Sequence, residues 1–345
     1  RRASARVIAL LARGVRRELP DIAARERFDG LVMDQICVGA EGVCQVIGLP
    51  LAVGCAALAF HIESRVPPAT FAWRYRPALP FRVRNTIGQF AFNLTGWSVA
   101  REVAPYRFRH HLRPMGYHYI NELRPSLVQV AQQPACFDFP RRHLPDHFHY
   151  TGPWIDDGAA GQRNFPWDRL DGRPMIYASL GTLQNRLESV FRLVAEACAG
   201  LDAKLVLALG REGASLGGSL PGDPIVVDYA PQLELVRRAT LAISHGGLNT
   251  TLECLRAGVP MVALPITNDQ PGVAARIRQK GVGEFIPIRQ ATAPALRQTV
   301  LRVLGMAEYR ERARHFAAEL LRIDGPGTAA ALIETAFATR QRVRR

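Results

Sequence analysis

From Met175 onward, short apolar runs alternate with amphipathic stretches: MIYASLG, LESVFRLVAEACAGL, AKLVLALG, PIVVDYA, QLELVRRA, LAISHGG, NTTLECLRAG, PMVALPI and VAARIRQKG. An apolar run of about four to eight residues reads as a strand, while apolar residues three and four apart read as a helix. Strands that alternate with helices must lie parallel, with right-handed crossovers. The rhythm therefore confines this half of the chain to an open parallel α/β sheet. It begins earlier as well: GLVMDQI reads as a short buried strand, VGAEGVCQVIGLP as a helix ending at Gly48-Leu49-Pro50, and LAVGCAAL as a second strand. Helical spacing covers 3–27, most of the basic stretch 81–125 and the end from Thr292, and LVQVA and FHYTG are further strands.

The polar, Gly- and Pro-rich stretch 153–174, PWIDDGAAGQRNFPWDRLDGRP, reads as a linker. The predicted order is a partial Rossmann-like domain over 1–152, the linker, a second Rossmann-like domain over 175–325, and a terminal helix and tail over 326–345. Two such sheets facing across a cleft would bind a ligand at their strand carboxyl ends. A length of 345 residues suits two domains. The net charge of +14 raises nucleic acid as a partner, but Lys occurs only at 204 and 280, and the arginines are spread with no aromatic-interleaved motif, which disfavours it. Six cysteines without CxxC spacing predict reduced thiols in a cytoplasmic protein, neither zinc-bound nor cross-linked. No run approaches the roughly 18–20 apolar residues of a membrane span. Arginines 13, 16 and 17 interrupt the first apolar run, which reads as an amphipathic helix rather than a signal peptide.

The chemistry concentrates in Tyr229–Gln270. In AISHGGLNTTLE a strand ends at Ser244, two glycines turn the chain, and a helix opens near Asn249. Unsatisfied N–H groups at a helix N-terminus seat an anion, and Gly246 and Gly247 leave room for a phosphate to approach. His245 can donate one more hydrogen bond to it. The bland reading is an ordinary strand–turn–helix capped by Asn249. Glu253, four residues on, shares the helix face and can accept from both ribose hydroxyls. Asp269-Gln270 follows the strand PMVALPI, and an acceptor beside a bifunctional amide suits the vicinal hydroxyls of a hexose. Tyr229 and Gln232, after another strand, could flank a base.

In order, Tyr229, Pro231, Gln232, His245, Gly247, Asn249, Thr250, Glu253, Gly258, Val259, Pro260, Asp269 and Gln270 resemble the donor motif of glycosyltransferase family 1, the UDP-glucuronosyl/UDP-glucosyl transferase group. Tyr229 and Leu248 depart from the tryptophans of plant members. The resemblance implies a GT-B fold and a UDP-sugar donor, with Gln232 and Glu253 at the uridine, His245, Asn249 and Thr250 at the diphosphate, and Asp269 and Gln270 on the sugar. IYASLGTLQN extends it, placing Gly181 and Thr182 near the donor phosphate, while Ser179 faces either ligand or sheet. No Asp-x-Asp pair occurs, so neither a metal nor a cofactor is expected beyond the UDP-glucose substrate.

Across the chain the resemblance is to members that glucosylate carotenoids, which implies an inverting transfer to an apolar small-molecule acceptor. Macrolides, sterols or other lipids are alternative acceptors. Such members use a His after the first strand, oriented by an Asp at a later strand end. Asp34 matches that Asp, although an ordinary strand-end Asp capping the helix behind it fits equally, and no histidine precedes His61. The expectation is therefore an N-terminal domain that is incomplete, which keeps open a nucleotide-sugar-binding protein without turnover. Phe60, Phe71, Trp73, Tyr75 and Phe81 could line an apolar groove, with Phe90, Phe92, Trp97 and Phe108 facing core or groove. The arginines at 82, 84, 101, 107, 109 and 113 among them would suit peripheral contact with an acidic membrane.

Overall fold

The computed structural model describes residues 2–116, 126–157, 164–182 and 187–345. The chain divides into two compact units, one of residues 1–70, 74–154 and 324–345, the other of 71–73 and 155–323.

The first unit holds four parallel strands in the order β1-β2-β3-β4: β1 (Leu31–Asp34), β2 (Leu51–Cys55), β3 (Val128–Ala131) and β4 (Phe148–Tyr150). β2 and β3 are buried along their length, as runs of Val, Ala and Leu demand when both faces are covered. β1 is less enclosed than its sequence predicts. Among the described residues it pairs with β2 alone, and Val32 is 52% exposed. Helix α1 (Arg2–Glu26) packs Ala12 against Val99 and Val103, and α2 (Ala40–Ile47) is the crossover from β1 to β2. The basic stretch forms two helices, α3 (Leu79–Thr95) and α4 (Trp97–Arg109); residues 117–125 of the expected helical region lie outside the described residues.

The second unit is a six-stranded parallel sheet in the order β10-β9-β8-β5-β6-β7. Its strands are β5 (Met175–Ser179), β6 (Lys204–Ala208), β7 (Ile225–Val227), β8 (Leu241–Ser244), β9 (Met261–Ala263) and β10 (Gly283–Phe285). The helices are α5 (Glu188–Cys198), α6 (Gln232–Arg238), α7 (Leu248–Arg256), α8 (Gln270–Lys280), α9 (Ala293–Gly305) and α10 (Ala307–Leu320). Phe191, Val194, Leu296 and Val300 of α5 and α9 pack on Ile176, Leu207, Ile243 and Val262 of the sheet. β10 was not anticipated, because GEF carries too short an apolar signal. From β5 the chain builds outward through β6 and β7, then returns to β8 on the other side of β5 and runs out through β9 and β10. The order reverses between β5 and β8, and ligands of open α/β sheets bind at such a switch point.

The last helix, α11 (Gly325–Thr339), read from sequence as part of a terminal tail, covers the first unit's sheet. Ala329 and Ala336 pack on Ala52, Val128 and Val130, and Phe337 lies against Gly30. The crossing at Gly152-Pro153 abuts Gly325 closely enough that a Cβ on Gly325 would strike the Gly152 and Pro153 carbonyls.

Candidate functional site

The switch point brings Ser179 and Ser244 side by side, in register at the ends of β5 and β8. Each hydroxyl accepts a hydrogen bond from the backbone N–H two residues on, Gly181 at 3.2 Å and Gly246 at 3.1 Å. These twin turns fold both chains back at the sheet edge. Ser179 thus serves its own turn and is buried, which settles its orientation. The signal was legible as Ser-x-Gly occurring twice, at 179–181 and 244–246.

Between the turns sits His245. A Cβ on Gly181 would lie 2.8 Å from its Cε1, and one on Gly247 would lie 2.5 Å from its Nε2. The imidazole therefore occupies a slot that only glycine on both sides leaves open. Burial pushes its pKa down to about 4, with the Ser179 backbone opposing. At neutral pH the ring is uncharged and offers one N–H as donor. Its Nδ1 is buried without a hydrogen-bond partner among the described residues.

The helix behind it, α7, begins one residue earlier than expected. Its N-cap is Gly247, in extended conformation (φ −65°, ψ 140°), and Asn249 lies inside the first turn. Thr251 N–H makes the first intrahelical bond, to Gly247 O at 3.0 Å, so the N–H groups of the preceding turn face outward with the positive end of the helix dipole. Asn249 is exposed there. Thr250 is not: its side chain is buried and its Oγ1 accepts from Gln232 Nε2 at 3.4 Å. Of the three residues the resemblance puts at the diphosphate, Thr250 has its hydroxyl turned toward Gln232 instead.

Gln232, at the start of α6, is the centre of a relay. Tyr177 Oη donates to its Oε1 at 2.8 Å, and its Nε2 donates to Glu253 Oε2 at 2.5 Å. Tyr177 is a core residue of β5, 1% exposed, and burial raises its pKa, so the hydroxyl stays a donor. That fixes the Gln232 amide with its NH2 toward Glu253. Burial raises the Glu253 pKa while the Gln232 bond lowers it. Its Oε1 accepts no hydrogen bond among the described residues. Tyr177 escaped sequence reading because a tyrosine in a buried strand is indistinguishable there from core. Tyr229 lies beyond β7, which ends at Val227, and its N–H donates to Asp228 Oδ1 at 2.7 Å. Asp228 also accepts from Gly213 N–H at 3.1 Å, tying a neighbouring loop to the strand end.

Asp269 is the N-cap of α8 and Gln270 its first residue. Gln270 is 5% exposed, and its Oε1 accepts from the N–H groups of Ile266 and Thr267 at 2.8 and 2.9 Å. The side chain expected to serve as both donor and acceptor is thus half committed to its own loop; its NH2 is what it can offer a ligand. Gly181 and the exposed Thr182 form the turn after β5, and Gly210 makes room for it, since a Cβ there would meet the Gly181 carbonyl.

Asp34 lies in the first unit, at the carboxyl end of β1. Its Oδ1 accepts from Ile36 N–H at 2.9 Å and its Oδ2 from Ala56 N–H at 3.4 Å; it ties the turns after β1 and β2 rather than capping α2, whose N-cap is Gly39. His61, the first histidine of the chain, is 4% exposed. Its Nε2 is 2.9 Å from Gln129 Oε1, and burial pushes its pKa down to about 3. It is a structural residue. Of the aromatics expected to face core or groove, Phe90, Trp97 and Phe108 are 58%, 65% and 85% exposed and lie outside the core. Arg107 is buried beside Glu41 at 3.3 Å and drops out of the basic surface.

A family model described as erythromycin biosynthesis protein CIII-like, C-terminal domain, matches residues 192–334. A zeaxanthin glucosyltransferase of Pantoea ananas is 31% identical over 330 residues, covering 95% of this chain and 76% of that protein. Among solved structures, the glycotransferase of kitacinnamycin superposes with a TM-score of 0.76 at 22% identity, covering 97% of this chain and 83% of that one. A spinosyn rhamnosyltransferase complexed with thymidine diphosphate gives 0.62 at 19%, covering 96% and 81%. The shared architecture is the GT-B fold, built on two parallel α/β units. By these relatives and by the order of its motif, the chain belongs to glycosyltransferase family 1, the UDP-glycosyltransferase superfamily.

Proposed function

We propose that this glycosyltransferase takes UDP-glucose as donor and transfers glucose, with inversion and without a metal, to a hydroxyl of an apolar acceptor of the carotenoid type, such as zeaxanthin. One observation carries the donor reading: a neutral His245 seated between two glycines at a helix N-terminus, beside the Tyr177–Gln232–Glu253 relay. The relay offers Glu253 Oε1 to ribose hydroxyls. The α7 N-terminus and the His245 N–H would receive the diphosphate and stabilise it as it leaves. Asp269 and the Gln270 NH2 would hold the hexose. In the transfer the acceptor oxygen bonds to the anomeric carbon, the bond to the UDP oxygen breaks, and the acceptor proton passes to a base, with Asp34 in the orienting role that the family resemblance implies. The acceptor reading is supported by the Pantoea ananas relative, and the six free cysteines fit a reducing cytoplasm.

The family model named for erythromycin biosynthesis favours a second reading of the acceptor, a macrolide-like aglycone. Thermal melts with UDP, followed by mass spectrometry of products from UDP-glucose with zeaxanthin or a macrolide aglycone, decide between them. UDP is expected to raise the melting temperature, and His245→Ala to remove the shift. A wild-type melt indifferent to millimolar UDP would sink the donor assignment; a hexose adduct on the macrolide alone would replace the acceptor.

A further inference from the structure

Helix α3 is built inside out. Its inward side carries Asn85 and Gln89, 0% and 3% exposed, with Asn85 Nδ2 donating to Ser64 O at 3.0 Å. Its outward side carries Leu79, Val83, Ile87, Phe90 and Leu94, each more than half exposed, and Trp97 continues the line at the start of α4 at 65%. The spacing of four, four, three, four and three is one helical stripe. Seventeen residues make it about 25 Å long. Every described exposed position of α3 is uncharged: 79, 80, 83, 86, 87, 90, 91 and 94. A helix that sinks its amides and displays its hydrocarbons has an apolar neighbour on the outside.

The charge around the stripe says which neighbour. Between 74 and 113 the chain has eight arginines and one acidic residue, Glu102. Glu102 is already held by Arg13 at 2.9 Å and Arg16 at 2.8 Å. Arg74, Arg76, Arg101 and Arg109 are exposed. A second copy of this chain meeting the stripe face to face would bring the same cations together, so a self-complementary dimer is disfavoured. A bilayer rich in anionic lipid supplies both an apolar layer for the stripe and negative headgroups for the arginines. Tryptophan at one end of the stripe suits the boundary between the two layers. No helix among the described residues is long and apolar enough to cross a membrane, so the contact lies in the surface plane.

We propose that the α3 stripe docks this protein on an anionic lipid surface. This deepens the acceptor reading, since an apolar acceptor partitions into such a phase, but the test contains neither donor nor acceptor and so succeeds or fails apart from that reading. The full chain is floated with vesicles of equal parts phosphatidylglycerol and phosphatidylcholine, and with phosphatidylcholine alone. Wild type should float with the first and much less with the second. Ile87→Asp with Phe90→Asp should lower partitioning at least about tenfold, because burial of apolar area drives insertion. Arg101→Glu with Arg109→Glu should erase the preference for anionic vesicles. Melting temperatures report folding, and Ile87→Gln with Phe90→Gln replaces the aspartates if that variant is unfolded. Wild type failing to float, or stripe variants floating equally well, would overturn the proposal. So would light scattering that finds a dimer which the stripe variants convert to monomer, since a second copy would then be the covering surface.

Discussion

Placing a methyl group at residue 247 separates the fold from the site. Gly247 has φ −65° and ψ 140°, a conformation any residue adopts, so Gly247→Ala brings no backbone strain. Its backbone cost to folding is that of a poorer N-cap, about 1 kcal/mol. The new Cβ, however, would lie 2.5 Å from His245 Nε2 and 2.7 Å from Cε1, and the imidazole must swing out of its slot. The lost bond from a neutral donor to a charged phosphate is worth about 1.5–3 kcal/mol, or roughly ten- to hundredfold in Kd. Gly246→Ala reverses the pattern. There φ is 75°, and the nearest atom is Gln270 O at 3.3 Å rather than the imidazole. About 1–2 kcal/mol of stability should go, with a smaller effect on binding. Calorimetric titration of UDP with urea unfolding of both variants gives the four numbers needed. The decisive measurement is the double variant: once His245→Ala has emptied the slot, Gly247→Ala should cost almost nothing further in UDP affinity. Additive losses would refute the slot, and so would tight UDP binding by Gly247→Ala alone.

Tyr177→Phe removes the donor that holds Gln232 Oε1 and should weaken UDP binding about fivefold, by roughly 1 kcal/mol, in the same titration. Glu253→Gln should narrow any preference for UDP over thymidine diphosphate, because in the proposed donor site the carboxylate would accept from the hydroxyl that only ribose carries; an unchanged ratio would remove Glu253 from the sugar. Burial holds His61 near 3 and His245 near 4, both below the ordinary 6.5. The unfolded chain binds those protons first, so stability is full above about pH 6.5 and declines as pH falls toward the folded values. By pH 5 the loss is on the order of 2 kcal/mol for each histidine, and urea midpoints equal at pH 7 and 5 would contradict it.

The strand–turn–helix of the candidate donor site was readable because apolar period, glycine and motif order all agree between Leu241 and Arg256. The individual atoms were not. Thr250 lies where the motif puts it, yet the helix starts one residue early and turns its hydroxyl toward Gln232. Gln270 is where a sugar contact belongs, but its carbonyl oxygen closes the 266–267 loop. Tyr177 gave no sign, since apolar periodicity reports burial and is silent on what a buried hydroxyl touches. The α3 stripe shows the opposite limit. Its period was visible, but sequence alone assigns an apolar stripe to the core, and this one faces out.

The second unit is an insertion within the first. The chain leaves the first unit after Trp154 and returns at Asp324, and Gly325 abuts the Gly152-Pro153 carbonyls. The entry and exit of residues 155–323 are thus close neighbours, so this stretch is a cassette whose ends a short linker could join without stretching the sheet. The same arrangement makes the far end of the chain a structural part of the first unit: a stop codon shortly after Ile323 would leave every candidate donor residue in the chain while stripping the cover from β2 and β3. Loss of the last helix should therefore register as instability of the half that contains no candidate donor residue.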